Sequence, residues 1–315
     1  MKNKSNAKKK TTIGGQALIE GVMMRGVSMT AMATRLPSGE IDIESWPTQS
    51  EKKGNWYRKT PFIRGIFSLI DSLRMGYKCL MKSAEKAGFE EEEPSKFEKK
   101  LQEKLGDKFM AVITGFAGVL AVIIAVGLFM LLPVYLVKLI EYLAGDLGGW
   151  KTAIEGVIKI AIFVAYLASI SLSKDIHRVF QYHGGEHKSI ACYEAGEELT
   201  VENARKYSRF HPRCGTSFLI IVLIISILVF SILPWGNGLL RVVYKLLLLP
   251  FVIGIAYEII KLAGRYSENI IMRIISAPGI WLQRLTTREP DDGQLEVALA
   301  SLKAVLPRED EDDNW

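Results

Sequence analysis

Cysteine is scarce in this chain: Cys79, Cys192 and Cys214 are the only three among 315 residues. Three thiols build no disulfide framework, so a small secreted scaffold is excluded. Histidine is almost as rare, and all four copies, His177, His183, His187 and His211, fall in one short stretch. No apolar segment near the start has the shape of a cleavable signal. The lysine-rich residues 2–10 read instead as a solvated tail near anionic lipid. There is no internal repeat beyond a loose likeness between two apolar hairpins. What the chain has in excess is hydrophobicity: 49% of its residues are apolar, too many for an ordinary soluble domain. The net charge of +6 is placed in the loops of a membrane protein, so no nucleic-acid partner is inferred from it.

Four apolar stretches follow the membrane pattern. Residues 109–137 carry no charge and exceed the roughly 20 residues that cross hydrocarbon, which calls for tilt or a bend at Pro133. Residues 216–235 form a second uncharged span. Residues 152–173 and 238–260 carry charges near their starts, Glu155 and Lys159 in one, Arg241 and Lys245 in the other. These are read as end anchors that snorkel to the interface. The fold class expected is mainly α and polytopic: four transmembrane helices in two hairpins, with a small α+β N-terminal cytoplasmic region and cytoplasmic C-terminal helices. Its segments are 1–107, 108–173, 174–215, 216–260 and 261–315. Lysine and arginine crowd the long segments and avoid the two short turns. The partner is therefore the lipid bilayer, with both termini and the histidine loop in the cytoplasm.

The segments outside the spans have their own patterns. Four glycines among apolar residues in 13–26 predict a tightly turned strand or loop. Residues 29–35 and 40–43 flank Leu36-Pro37-Ser38-Gly39 as a hairpin with alternating faces. Residues 61–86 show helical apolar spacing with a basic component; packing on the hairpin is favoured over lying on the membrane. Residues 90–107 read as a charged linker, 261–284 as a basic interfacial helix broken at Pro278-Gly279, and 295–302 as an amphipathic helix. An acidic tail, 309–313, is expected to be disordered.

The chemistry lies in the histidine stretch. In His183-Gly184-Gly185-Glu186-His187 two imidazoles four residues apart share one helical face, with a carboxylate on the neighbouring edge, the spacing of inverted zincins. The two glycines weaken a helix there, so an irregular turn, or close approach of a backbone or ligand, is open. Phe210-His211-Pro212-Arg213-Cys214 then offers His211 and Cys214 at turn spacing. The candidate set is His183, His187, His211 and Cys214 for a divalent metal, zinc by ligand type, with Glu186 as catalytic base. The plainer alternative is that these groups cap helices and pack. Glu258 beside Tyr257 is expected to pair with Lys261, Arg265 or a basic residue of a loop before serving as a ligand.

Together these motifs, with Gly14-Gly15-Gln16-Ala17, Glu20-Gly21-Val22-Met23-Met24-Arg25-Gly26, Pro61…Arg64-Gly65, Tyr257-Glu258 and Thr286-Thr287-Arg288-Glu289-Pro290, resemble the YqhQ-like family of bacterial multi-pass membrane proteins of unknown function. The resemblance implies a metal-dependent enzyme of the bacterial cell membrane with no established substrate. The leading reading is a membrane-embedded hydrolase acting on a lipid headgroup or a membrane-protein segment. Beside it stand a scaffold, assembly factor or regulator with a structural metal or none, and a small transporter.

Overall fold

The computed structural model describes residues 10–48, 56–88, 106, 109–266, 269–308 and 311–313. The charged linker expected at 90–107 lies almost wholly outside the described residues. The chain divides into two compact units: 1–88, 167–225 and 250–315 form one, 89–166 and 226–249 the other.

The first unit is built on a four-stranded antiparallel sheet in the order β1 (Gly14–Leu18), β2 (Gly21–Arg25), β3 (Met29–Arg35), β4 (Ile41–Pro47). The glycine-rich segment makes the first hairpin, with Leu18 opposite Gly21 and only Ile19 and Glu20 in the turn. Glu20 takes φ 51°, a strained value for a non-glycine, and is held there by Arg178 and the Tyr182 hydroxyl at 3.1 Å. The central strands alternate between two buried faces, as the two-residue period of a strand requires. Leu18, Met23 and Met32 pack with Cys79 of α1 (Ile63–Lys86). Val22, Met24, Ala31 and Ala33 pack with Tyr182 and Ile190 of α5 (Lys174–Glu194) and with Val297, Ala298 and Leu302 of α10 (Asp292–Lys303). Burying each of these larger side chains contributes roughly 1.5–3 kcal/mol, so a separate cluster on each face ties the sheet to its helices. Asp291 caps α10 through a reciprocal capping box with Gln294.

Several expectations are corrected here. α9 (Ile270–Thr286) runs unbroken through Pro278 instead of stopping there, with Gly279 allowing close approach to Ser217. The acidic tail is not wholly disordered: Asp313 is buried and accepts from the Thr11 hydroxyl at 2.7 Å and the Tyr193 hydroxyl at 2.9 Å. Glu258 forms an ion pair, but with Arg64 of α1 rather than with Lys261, Arg265 or a loop residue: it is bidentate at 2.8 and 2.5 Å, and also accepts from the Phe62 amide at 3.1 Å.

Three described helices, not four, are long and apolar enough to cross a membrane: Val112–Ala144, Gly148–Ile170 and Gly238–Arg265. The first comprises α2 (Phe109–Val126), a π turn (Gly127–Leu131) and α3 (Leu132–Ala144). The wide turn holds residue 129, whose carbonyl the ring of Pro133 would otherwise strike. The remaining apolar helix, α7 (Gly215–Phe230), has 16 residues and spans about 24 Å, short of the roughly 30 Å hydrocarbon core. The other two long helices contain α4 (Lys151–Ile170) and α8 (Gly238–Arg265).

In the second unit the charged residues do not behave as end anchors. Glu155, Lys159, Arg241 and Lys245 are all buried. Glu155 binds Arg241 at 2.9 Å and also Lys245, and the Arg241 guanidinium sits 4.0 Å over the Trp235 ring. Phe116, Val119, Val122 and Ile123 of α2 are exposed.

Candidate metal centre

The site begins with a helix and a sharp turn. α5 is regular through His183–His187, because the two glycines serve contact rather than irregularity. A Cβ on Gly184 would lie 2.0 Å from the Arg288 carbonyl oxygen. The Thr286–Pro290 motif therefore lies directly against the helix, and the Arg288 amide donates to the Phe180 carbonyl at 2.8 Å. That approach places the Thr286 carbonyl 2.8 Å from His183 Nδ1. On the next turn His187 Nδ1 meets the Arg209 carbonyl at 2.6 Å. A carbonyl only accepts, so each Nδ1 carries a hydrogen, and each Nε2 is the ring nitrogen that could bind an ion once it carries no proton. Outer partners of this kind orient metal-binding histidines. The Arg209 guanidinium braces the same motif, donating to the Thr287 carbonyl at 2.5 Å.

Cys214 completes the inner set. Its Sγ is 3.1 Å from His183 Nε2, 3.2 Å from the Thr216 hydroxyl and 3.4 Å from the Thr216 amide nitrogen. One ligand atom each from His183, His187 and Cys214 lies within 4.8 Å of the others. Bonds of about 2.0 Å to nitrogen and 2.3 Å to sulfur at tetrahedral angles separate ligand atoms by about 3.5 Å, so small adjustments suffice. His187 Nε2 and Glu186 Oε2 are buried without a hydrogen-bond partner. Two orphaned acceptors beside a thiol and a second imidazole fit a cation, which would satisfy what the protein leaves unsatisfied.

The charges agree with that geometry. Burial pushes the Cys214 thiol up, but His183 and His187 beside it bring it well below the ordinary thiol range. Burial opposes charge on His183, yet Cys214, Glu186 and the Thr286 carbonyl raise it to about 9. Burial raises the Glu186 carboxyl, against the pull of both histidines and of the Gly15 amide. Gly15 is required for this contact: a Cβ there would stand 2.9 Å from Glu186 Cδ and 2.7 Å from the Met23 carbonyl oxygen.

His211, the fourth residue of the expected ligand set, stands outside the three-residue cluster. Its Nε2 lies 3.6 Å from Glu194 Oε2 and 3.4 Å from Arg213, and Gln283 clamps its backbone with two 2.8 Å bonds. Burial lowers the His211 pKa, against the pull of Glu194. Its ring remains 5.6 Å from that of His187, as a neighbour of the cluster. Sequence reasoning missed Gly15, Thr286, Arg209 and Gln283 as parts of the site. The glycine-rich motif of Gly15 and the Thr-Thr-Arg-Glu-Pro motif of Thr286 are visible, but nothing local ties either to a helix more than a hundred residues away, and Arg209 and Gln283 lie in neither motif.

Residues 60–308 match the family described as "Protein of unknown function (DUF1385)". The "Uncharacterized protein YqhQ" of Bacillus subtilis (strain 168) is 36% identical over 293 residues, covering 93% of this chain and 92% of that relative. No solved structure matches the chain.

Proposed function

Because the chain belongs to the DUF1385 family, whose description assigns no function, we propose one from its own geometry: a membrane-embedded, metal-dependent hydrolase. The observation that carries this is the pairing of a three-residue ligand set with a buried carboxylate that keeps one oxygen unpartnered. His183, His187 and Cys214 would hold a divalent ion, zinc by its nitrogen and sulfur donors. Such an ion polarises a substrate carbonyl or phosphoryl oxygen and makes bound water acidic. Three protein ligands leave a coordination position for chemistry, whereas a fully structural site uses four. The Thr286 and Arg209 carbonyls fix the two imidazoles. The Gly15 amide holds Glu186, which takes the proton of the attacking water. The exposed apolar side chains of α2 favour a bilayer around the long helices, so a lipid headgroup or a membrane-protein segment is the substrate class.

Glu186→Gln tests the mechanism. The variant should retain bound metal and folding while losing at least about 100-fold in turnover, the scale of a lost general base. Full complementation of a deletion strain by Glu186→Gln would leave a structural metal, and hence a scaffold, as the better reading. That second reading draws on one observation: the cluster joins α5, Cys214 and the end of α9, so an ion there would also lock three distant segments together.

One core cluster of the first unit joins the N-terminal sheet, α5 and the C-terminal α10, which supports a reading with both end regions and the site on one side. The basic residues of these segments support a cytoplasmic side for them in a bacterial cell membrane. The number of crossings is then even, which needs the short α7 to cross a locally thinned bilayer and pair with α8 as one excursion. A cysteine at Asn237, in the turn between them, should react with an impermeant maleimide on intact cells, and one placed after Asp313 should not. Labelling of Asn237→Cys only after permeabilisation would overturn this topology.

A further inference from the structure

We propose that the apolar helix unit holds a second site, for a phosphate-type anion, built around Lys159. Three cations, Lys159, Arg241 and Lys245, are 5%, 1% and 0% exposed, and among the described residues one carboxylate, Glu155, pairs within this cluster. Glu155 is already shared by Arg241 and Lys245. Lys159 is left with the Ser226 hydroxyl at 3.4 Å and the face of Phe230 at 5.1 Å, neither of which neutralises it. Arg241 donates to the Leu233 and Pro234 carbonyls, yet its buried Nε has no partner. Excess buried positive charge is costly in an apolar setting and marks a place where a negative group belongs.

The geometry says where that group would enter. Lys159 lines a closed seam between α4 and α7 with Thr152, Glu155, Gly156, Ile227 and Phe230, which must widen to admit the anion. Gly156 lets the two helices approach, since a Cβ there would lie 2.9 Å from Ile227. Lys159 lies eight residues into α4 and Lys245 seven into α8, each about 10–12 Å along the helix from its start. The Lys159 ammonium is turned inward to Ser226 and Phe230, so a phosphate that pairs with it must enter between the helices. The Lys159 ammonium and the buried Ser226 hydroxyl beside it are donors that suit phosphate oxygens. The phosphate could be the diester of an anionic lipid or inorganic phosphate, and the test separates them.

The full-length protein is purified in detergent and compared with Lys159→Gln, with Lys159→Met as a second variant. Native mass spectrometry reads retained phosphatidylglycerol against phosphatidylcholine, and thermal shift at constant ionic strength reads inorganic phosphate. Losing one charge-assisted hydrogen bond should weaken binding roughly 10- to 100-fold in either variant. Phosphatidylglycerol retention that depends on Lys159 identifies a lipid site; a response to inorganic phosphate alone identifies a free-anion site. Hydrogen exchange on wild type gives a measure independent of the variants' folding: the bound anion should protect peptides from 151–166 and 238–249. Absence of binding to folded wild type, equal binding by the variants, or binding without that protection overturns the proposal. Bound metal at the histidine site is unaffected by Lys159→Gln, so failure of either site leaves the other standing.

Discussion

His187→Ala is expected to abolish stoichiometric metal binding while leaving the protein folded. His187 Nε2 is a buried acceptor that nothing in the protein satisfies, whereas its Nδ1 makes one 2.6 Å bond to the Arg209 carbonyl. Losing that bond costs about 1–3 kcal/mol, within reach of a core held by three layers. Losing an inner ligand should weaken metal affinity by more than the ~10–100-fold seen for outer partners. Cys214→Ser should do the same, because a hydroxyl replaces the soft anion that the neighbouring imidazoles favour. His211→Ala supplies the contrast. Its Nε2 is turned to Glu194, so metal content should stay near wild type. Equal loss in His211→Ala and His187→Ala, measured by metal analysis of purified protein, would restore the four-ligand set that the motif spacing predicts.

Glu155→Gln is expected to destabilise the helix unit by about 3–5 kcal/mol, the cost of leaving buried charge uncompensated. The carboxylate is the shared partner of Arg241 and Lys245, both essentially inaccessible. Adding Lys245→Met to that variant should recover much of the loss, since it removes one of the stranded cations. Thermal unfolding in detergent, followed by helical circular dichroism, checks both variants. A change below about 1 kcal/mol is the range of solvated surface pairs. It would mean that these charges snorkel to water as end anchors after all.

Local patterns announced local structure. The glycines of residues 13–26 and the Pro-Ser-Gly turn at 37–39 foretell the hairpins, because turn chemistry is decided within a few residues. The i, i+4 spacing of His183 and His187 foretells their shared face, and Cys214 joins them. What escaped was decided at long range. Of the two readings open for Gly184, a weak point of a helix or close approach of a backbone, the second holds, and what the sequence does not name is the partner, the Arg288 carbonyl. Gly15 was read as a turn residue and proves to be the neighbour of Glu186, 171 positions away. His211 has the right spacing from Cys214 for ligation, yet Glu194 and Gln283 turn it elsewhere. The charges at 155, 159, 241 and 245 looked like interface anchors because periodicity does not reveal that α4 and α8 bring them face to face. Residues 216–235 read as a full span, but the helix ends at Phe230 and a turn occupies the remainder.

X-ray absorption at the metal edge of the purified wild-type protein tests the central claim most directly. Two nitrogen scatterers at about 2.0–2.1 Å, one sulfur at about 2.3 Å and one further light atom are predicted, with the sulfur shell absent from Cys214→Ser. A protein that retains no metal, or a metal whose wild-type shell contains no sulfur, would contradict the account.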